Sequence, residues 1–184
     1  MQWARARYAD YRAGKVSEDD MCGEMVTINR GLREAEVLDL ARTFFAENFV
    51  SRIFPEMKEL ISRLLELGCD VWAVSSTNEW VIREAMLHVG IAQEKILAAA
   101  VAIDNGIIIT DRLTRVPSGP GKPKAILKEI GQIPDVAFGN SRWDAEMLTL
   151  ARFPVAVNPN PDLEEVARER GWTIYWPNGT RPAK

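Results

Sequence analysis

The chain is 184 residues long, with 47% hydrophobic and 27% charged residues and a formal net charge of −3. That length buries a sizeable core as one domain, or as a domain with a small appendage. The slight acidity gives no electrostatic footprint for nucleic acid, and no apolar run approaches the roughly 20 residues of a membrane span. The segment Met1-Gln2-Trp3-Ala4-Arg5 lacks the apolar core of a secretory signal. Cys22 and Cys69 are too few and too isolated for a disulfide framework or a zinc site. A reducing cytoplasm fits them, as plain buried residues.

Residues 2–12 read as a helix ending near Gly14. Ser17 before Glu18-Asp19-Asp20 is a capping residue with an acidic first turn, which predicts a second helix to Asn29. Val37, Leu38, Leu40, Ala41, Phe44 and Phe45 make a wide apolar stripe on a helix over 33–49. These fifty residues carry no convincing strand and predict a small helical bundle. After Phe54-Pro55 the pattern changes. An amphipathic helix over 56–67 closes at Gly68, and the apolar run 71–74 is a short strand emptying into Ser75-Ser76-Thr77. A helix follows over 78–88. Strands 96–103 and 107–110 flank Asp104-Asn105-Gly106, a strong hairpin signal. A Gly/Pro loop at 117–121 opens a helix over 122–130. Strands at 135–138, 155–157 and 173–176 then alternate with helices over 143–151 and 163–170. The alternation predicts an α/β fold with a largely parallel sheet covered on both faces.

Three places along this pattern carry chemistry. Ser75 lies between a strand and a helix, where a hydroxyl and free backbone N–H groups cradle an anion; Ser75, Ser76 and Thr77 equally suit a helix cap. Lys122, with Lys124 as its alternative, opens a helix whose dipole it opposes, so it is either solvated or aimed at an anion. Gly139-Asn140-Ser141-Arg142-Trp143-Asp144 follows the strand 135–138. It puts Asn140 at the strand's carboxyl end and Asp144 on the first helical turn, facing the crevice where open α/β sheets bind ligands. Two such oxygen ligands suit Mg²⁺, although a turn Asn and a first-turn Asp are also ordinary structural residues.

Taken in order, Ser75, Lys122 and Gly139-Asn140-Ser141-x-x-Asp144 resemble the second, third and fourth motifs of the haloacid dehalogenase superfamily, in its phosphoserine-phosphatase-like branch. The strings Val74-Ser75-Ser76-Thr77, Gly121-Lys122-Pro123-Lys124 and Phe153-Pro154-Val155-Ala156-Val157-Asn158-Pro159 support the resemblance. It implies a Rossmann-like core over residues 51–184 and a small all-helical cap over residues 1–50. It implies a Mg²⁺-dependent phosphomonoester hydrolase working through an aspartyl-phosphate, on a small phosphorylated metabolite such as phosphoserine, phosphoethanolamine or phosphocholine. Ser75, with Ser76 beside it, would hold a phosphoryl oxygen. Lys122 would neutralise the charge shared by nucleophile and phosphate. Asn140 and Asp144 would help hold Mg²⁺, and Arg52 and Glu56, near the cap–core junction, could contact substrate or be solvated or paired.

Two departures accompany the resemblance. The family's first motif, Asp-x-Asp-x-Thr at the end of a leading strand, occurs nowhere in the 184 residues, and Asn140 stands where the family more often has Asp. The expectation is a chain that begins inside the cap linker, lacks the nucleophile strand, and has no turnover by itself. The alternative is a non-catalytic relative that binds a phosphate ligand. A third reading makes the aromatic stripe Trp3, Tyr8 and Tyr11 a partner-binding face; it serves equally as cap packing.

Overall fold

A computed structural model of the chain describes residues 2–178 and 180, leaving out the side chains of Gln2 and residues 110–115. Two compact units divide at residue 117, Met1–Pro117 and Ser118–Lys184. The first holds α1 (Gln2–Arg12), α2 (Glu18–Thr27), α3 (Glu34–Asn48), α4 (Pro55–Glu66), β1 (Ala73–Asn78), α5 (Glu79–Leu87), β2 (Ile96–Asp104) and β3 (Ile107–Arg115). Helix α2 starts where the sequence places it, because the Ser17 hydroxyl accepts the Asp20 N–H at 3.0 Å and three acids meet the positive end of the helix dipole. The sheet order is β1-β2-β3, with β1 parallel to β2 and β3 antiparallel to it. Asn105 (φ 48) and Gly106 (φ 76) take consecutive left-handed conformations, the turn that matches the twist of a two-residue hairpin.

The strand bearing Ser75 differs from the sequence expectation. It spans Ala73–Asn78, so Ser75 lies inside the strand instead of beyond it. Pairing with β2 holds at Ala73↔Ile96 and Val74↔Leu97, then resumes at Asn78↔Ala99. Ser75, Ser76 and Thr77 therefore face one residue of β2, a bulge. The Ser75 hydroxyl accepts the Thr77 N–H at 3.1 Å, a local bond that competes with the ladder and lets the strand buckle there.

The N-terminal helices share the core of this unit. Val26 of α2 and Val37 and Ala41 of α3 pack with Trp80 of α5, Val101 of β2 and Ile108 of β3. The link from α2 to α3 is fastened to the hairpin by backbone. The Gly31 N–H donates to the Ile108 carbonyl, the Ile108 N–H to Leu32 and the Glu34 N–H to Gly106. A charge pair ties α3 to α5: Arg83 reaches Glu34 at 3.0 Å, and within its own helix it also reaches Glu79 at 2.6 Å. The cysteines depart from expectation. Cys22 is half-buried, and Cys69 is exposed because it follows the left-handed Gly68 in the surface turn that ends α4.

The second unit holds α6 (Gly121–Glu129), β4 (Val136–Gly139), α7 (Ala145–Leu150), β5 (Phe153–Val157), α8 (Pro161–Glu169) and β6 (Thr173–Tyr175). Its sheet, β4-β5-β6, is parallel throughout. Leu148, Ala156, Leu163 and Ala167 are fully buried in its core. The single helix expected over 143–151 is instead a 3₁₀ turn, Arg142–Asp144, followed by α7. Because all three strands run the same way, their carboxyl ends and the polar loops after them share one edge. Among the described residues no helix is long and apolar enough to cross a membrane.

Candidate functional site

Strand β4 stops at Gly139, and the next five residues are organised around one carboxylate. Oδ2 of Asp144 accepts the Asn140 N–H at 2.9 Å, the Ser141 N–H at 3.0 Å and the Ser141 hydroxyl at 3.3 Å. Ser141 and Asp144 thereby form a capping box that closes the 3₁₀ turn. The spacing Ser-x-x-Asp signals such a box in the sequence, so the structural reading of Asp144 as a first-turn residue holds alongside the metal reading. Oδ1 of Asp144 faces the Lys122 ammonium at 3.2 Å.

Lys122 is 4% exposed and Asp144 7%. A cation on the first turn of α6 opposes the helix dipole, and burial adds a desolvation cost. The facing carboxylate offsets both. Gly139 makes the approach possible: a Cβ there would stand 2.5 Å from the Cβ of Asp144. The loop before Lys122 bends through Gly119 (φ +43), where an added Cβ would meet the Trp143 ring at 3.5 Å. The guanidinium of Arg142 lies over that ring, 5.4 Å from its centre.

Asn140 itself is exposed. Its carbonyl accepts the Asn160 N–H at 2.8 Å, from the loop between β5 and α8. No local sequence signal announces this bond, since it joins residues far apart in the chain.

The structure thus brings Lys122, Asn140 and Asp144 together in the second unit. Lys124, the alternative cation, is exposed on α6. Ser75, Ser76 and Arg52 belong to the first unit. Ser75 sits half-buried in the bulge of β1. Ser76 donates its hydroxyl to Oε1 of Glu18 on α2 at 2.8 Å, a partner from the N-terminal helices that local sequence could not reveal. Arg52 ends a 3₁₀ turn, exposed, with its guanidinium 5.5 Å from the Phe49 ring centre.

A hard cation makes a specific demand on this set. Among the described residues no three His, Cys, Asp or Glu side chains gather at one point. Mg²⁺ keeps several waters and takes only one or two carboxylates beside substrate oxygens. The amide oxygen of Asn140, an exposed residue, suits it. Asp144 suits it through water, because direct ligation by Oδ2 would strip two backbone N–H groups of their acceptor. The pair fits as part of a mostly aqueous shell that still needs a further carboxylate.

Comparison with known proteins gives this arrangement a context. The family model of haloacid dehalogenase-like hydrolases matches residues 3–149. A histidinol-phosphatase of Neisseria meningitidis is 25% identical over 178 residues, covering 91% of this chain and 78% of that protein. A phosphoserine phosphatase of Mycobacterium tuberculosis is 27% identical over 170 residues, covering 88% of this chain; the chain spans about half, 54%, of that protein's length. A crystal structure from Bordetella pertussis, of a protein described as of unknown function, superposes with a TM-score of 0.81 at 19% identity, over 93% of this chain and 79% of that one. The chain belongs to the haloacid dehalogenase-like hydrolases.

Proposed function

We propose that the chain belongs to a Mg²⁺-dependent phosphatase acting on a small phosphorylated metabolite. The observation that carries this reading is the buried Lys122–Asp144 pair beside the exposed Asn140, at the carboxyl edge of a parallel sheet. Attack on a phosphate monoester brings anion to anion, so a fixed cation and preorganised donors must offset the repulsion. Lys122 supplies the fixed cation, and Asp144 keeps it in place. The family resemblance assigns Ser75, with Ser76 beside it, to a phosphoryl oxygen and Arg52 to substrate; all three belong to the first unit. Asn140 directly, and Asp144 through water, would hold Mg²⁺, which when bound neutralises phosphate charge. The resemblance gives the N-terminal fifty residues the part of a cap that restricts substrate size, here built on the same core as α5 and the hairpin.

The nucleophile belongs to an Asp-x-Asp-x-Thr segment that the 184 residues do not contain. The prediction is that this chain by itself does not turn over, and that a chain also carrying such a segment hydrolyses phosphomonoesters with Mg²⁺. A panel of phosphoserine, histidinol phosphate, phosphoethanolamine and phosphocholine, followed by phosphate release, tests both. Robust Mg²⁺-dependent release by the 184-residue chain overturns the claim that its nucleophile lies elsewhere. Absence of the motif equally favours a second reading, a protein that binds a phosphomonoester without chemistry. Saturable binding without release, in a chain with and without the added segment, would establish it.

A further inference from the structure

The loop after β5 reaches two neighbours with its backbone. The Asn158 N–H donates to the Tyr175 carbonyl of β6 at 2.8 Å, and the Asn160 N–H donates to the Asn140 carbonyl at 2.8 Å. Between these bonds the chain turns through Asn158, whose φ is 44. Only one other non-glycine residue among those described has a positive φ, Asn105 in the hairpin turn. Asn tolerates this region better than most side chains, at a small cost. Pro159 and Pro161 then flank Asn160 and stiffen the approach. The Asn160 side chain makes no capping bond to α8, so its N–H is what the residue brings to the loop after β4.

Asn140 is therefore held from both sides of its backbone. Its N–H is bound by Asp144 and its carbonyl by Asn160. A ligating or binding group works only when held to within about half an ångström. Asn140 has no element of its own to do that, since β4 ends one residue earlier.

We propose that the Asn160 backbone N–H, delivered by the Asn158–Pro161 loop, is the positioning group for Asn140, fixing the peptide from which that amide side chain meets a ligand. The inference rests on reading Asn140 as an oxygen ligand, and it adds a second determinant that no side-chain motif would show. Asn160 does not itself touch ligand; it acts through Asn140.

Two variants of the 184-residue chain separate the N–H from the side chain. Asn160→Pro suits the observed φ of −62 but puts a ring carbon where the hydrogen lay, so the Asn140 carbonyl must withdraw. Asn160→Ala keeps the N–H. In isotope-labelled protein, scalar coupling across the hydrogen bond from the Asn160 nitrogen to the Asn140 carbonyl carbon is expected in the unaltered chain and in Asn160→Ala. Added Mn²⁺, standing in for Mg²⁺, is expected to broaden the Asn140 side-chain amide signals in both. In Asn160→Pro those signals shift, and half-broadening needs at least tenfold more Mn²⁺, while the Leu148 and Leu163 methyl signals stay in place. The inference is overturned if Asn160→Pro leaves the Asn140 signals unmoved, or if Asn160→Ala does equal damage. It is also overturned if the unaltered chain shows no coupling, a reading that needs no variant to fold. Should Mn²⁺ broaden nothing in any chain while Asn160→Pro still moves Asn140, the positioning stands and the ligand reading falls.

Discussion

Alanine at Gly139 tests whether the end of β4 is shaped around Asp144. The new Cβ would lie 2.5 Å from Cβ, 3.0 Å from Cγ and 3.1 Å from Oδ2 of Asp144. Carbon atoms settle at about 3.5–4.0 Å, so the aspartate must retreat by about 1 Å. Its bonds to the Asn140 and Ser141 N–H groups, now 2.9 and 3.0 Å, would stretch beyond hydrogen-bonding range. An orphaned donor costs about 1–3 kcal/mol, toward the lower end here because exposed Asn140 lets water in. Overpacking adds about 1–3 kcal/mol. The expected loss is about 3–4 kcal/mol. Gly131→Ala is the matched control: φ is +75 but nothing lies within 4 Å, so only backbone strain of about 1–2 kcal/mol applies. Urea unfolding followed by circular dichroism, reading the transition of the second unit, should show the midpoint falling by roughly 2 M for Gly139→Ala and under about 1 M for Gly131→Ala. A loss at Gly139 no larger than at Gly131 refutes the steric argument.

Lys122→Met leaves a buried carboxylate without its ammonium and should cost about 3–5 kcal/mol in the same unfolding assay; a change below about 1 kcal/mol would show the pair to be idle. Asn140→Asp adds the missing charge beside an exposed oxygen, and calorimetric titration should find Mg²⁺ bound at least about tenfold more tightly, or about 1.4 kcal/mol. Asp70 is held below the ordinary carboxylate range first by Lys95 and then by the Trp72 indole N–H. Its folded pKa is depressed, so its contribution is complete above the ordinary Asp value of about 3.9 and fades as pH falls through the folded value. Against Asp70→Asn, the unaltered chain should lose stability only in that acid window, by less than about 1 kcal/mol because the pair is exposed. An equal difference at every pH contradicts the assignment.

Local signals carried most of the secondary structure. Ser17 with its acidic turn gave the start of α2, and Asn105-Gly106 gave the hairpin, because caps and turns are decided within a few residues. The local sequence ends the strand before Ser75 because three hydroxyl residues look like a loop, while pairing with β2 draws them into a bulged strand. At the candidate site the residue types were legible and their partners were not. Ser141-x-x-Asp144 could have been read as a capping box. Nothing in the order of residues announces that Glu18 meets Ser76, or that Asn160 meets Asn140, because those pairings are made by the assembled core.

That α2 and α3 share their core with the hairpin limits how they can move. Peeling them from β2 and β3 would uncover Val26, Trp80 and Ile108, each at most 1% exposed. At about 1.5–3 kcal/mol per side chain, that opening costs about 5–8 kcal/mol, close to the whole stability of an ordinary domain. These helices and the hairpin therefore form one cooperative unit whose amides should exchange with solvent together. Any breathing that admits a ligand must carry them as a single body, or use smaller motions of side chains and loops.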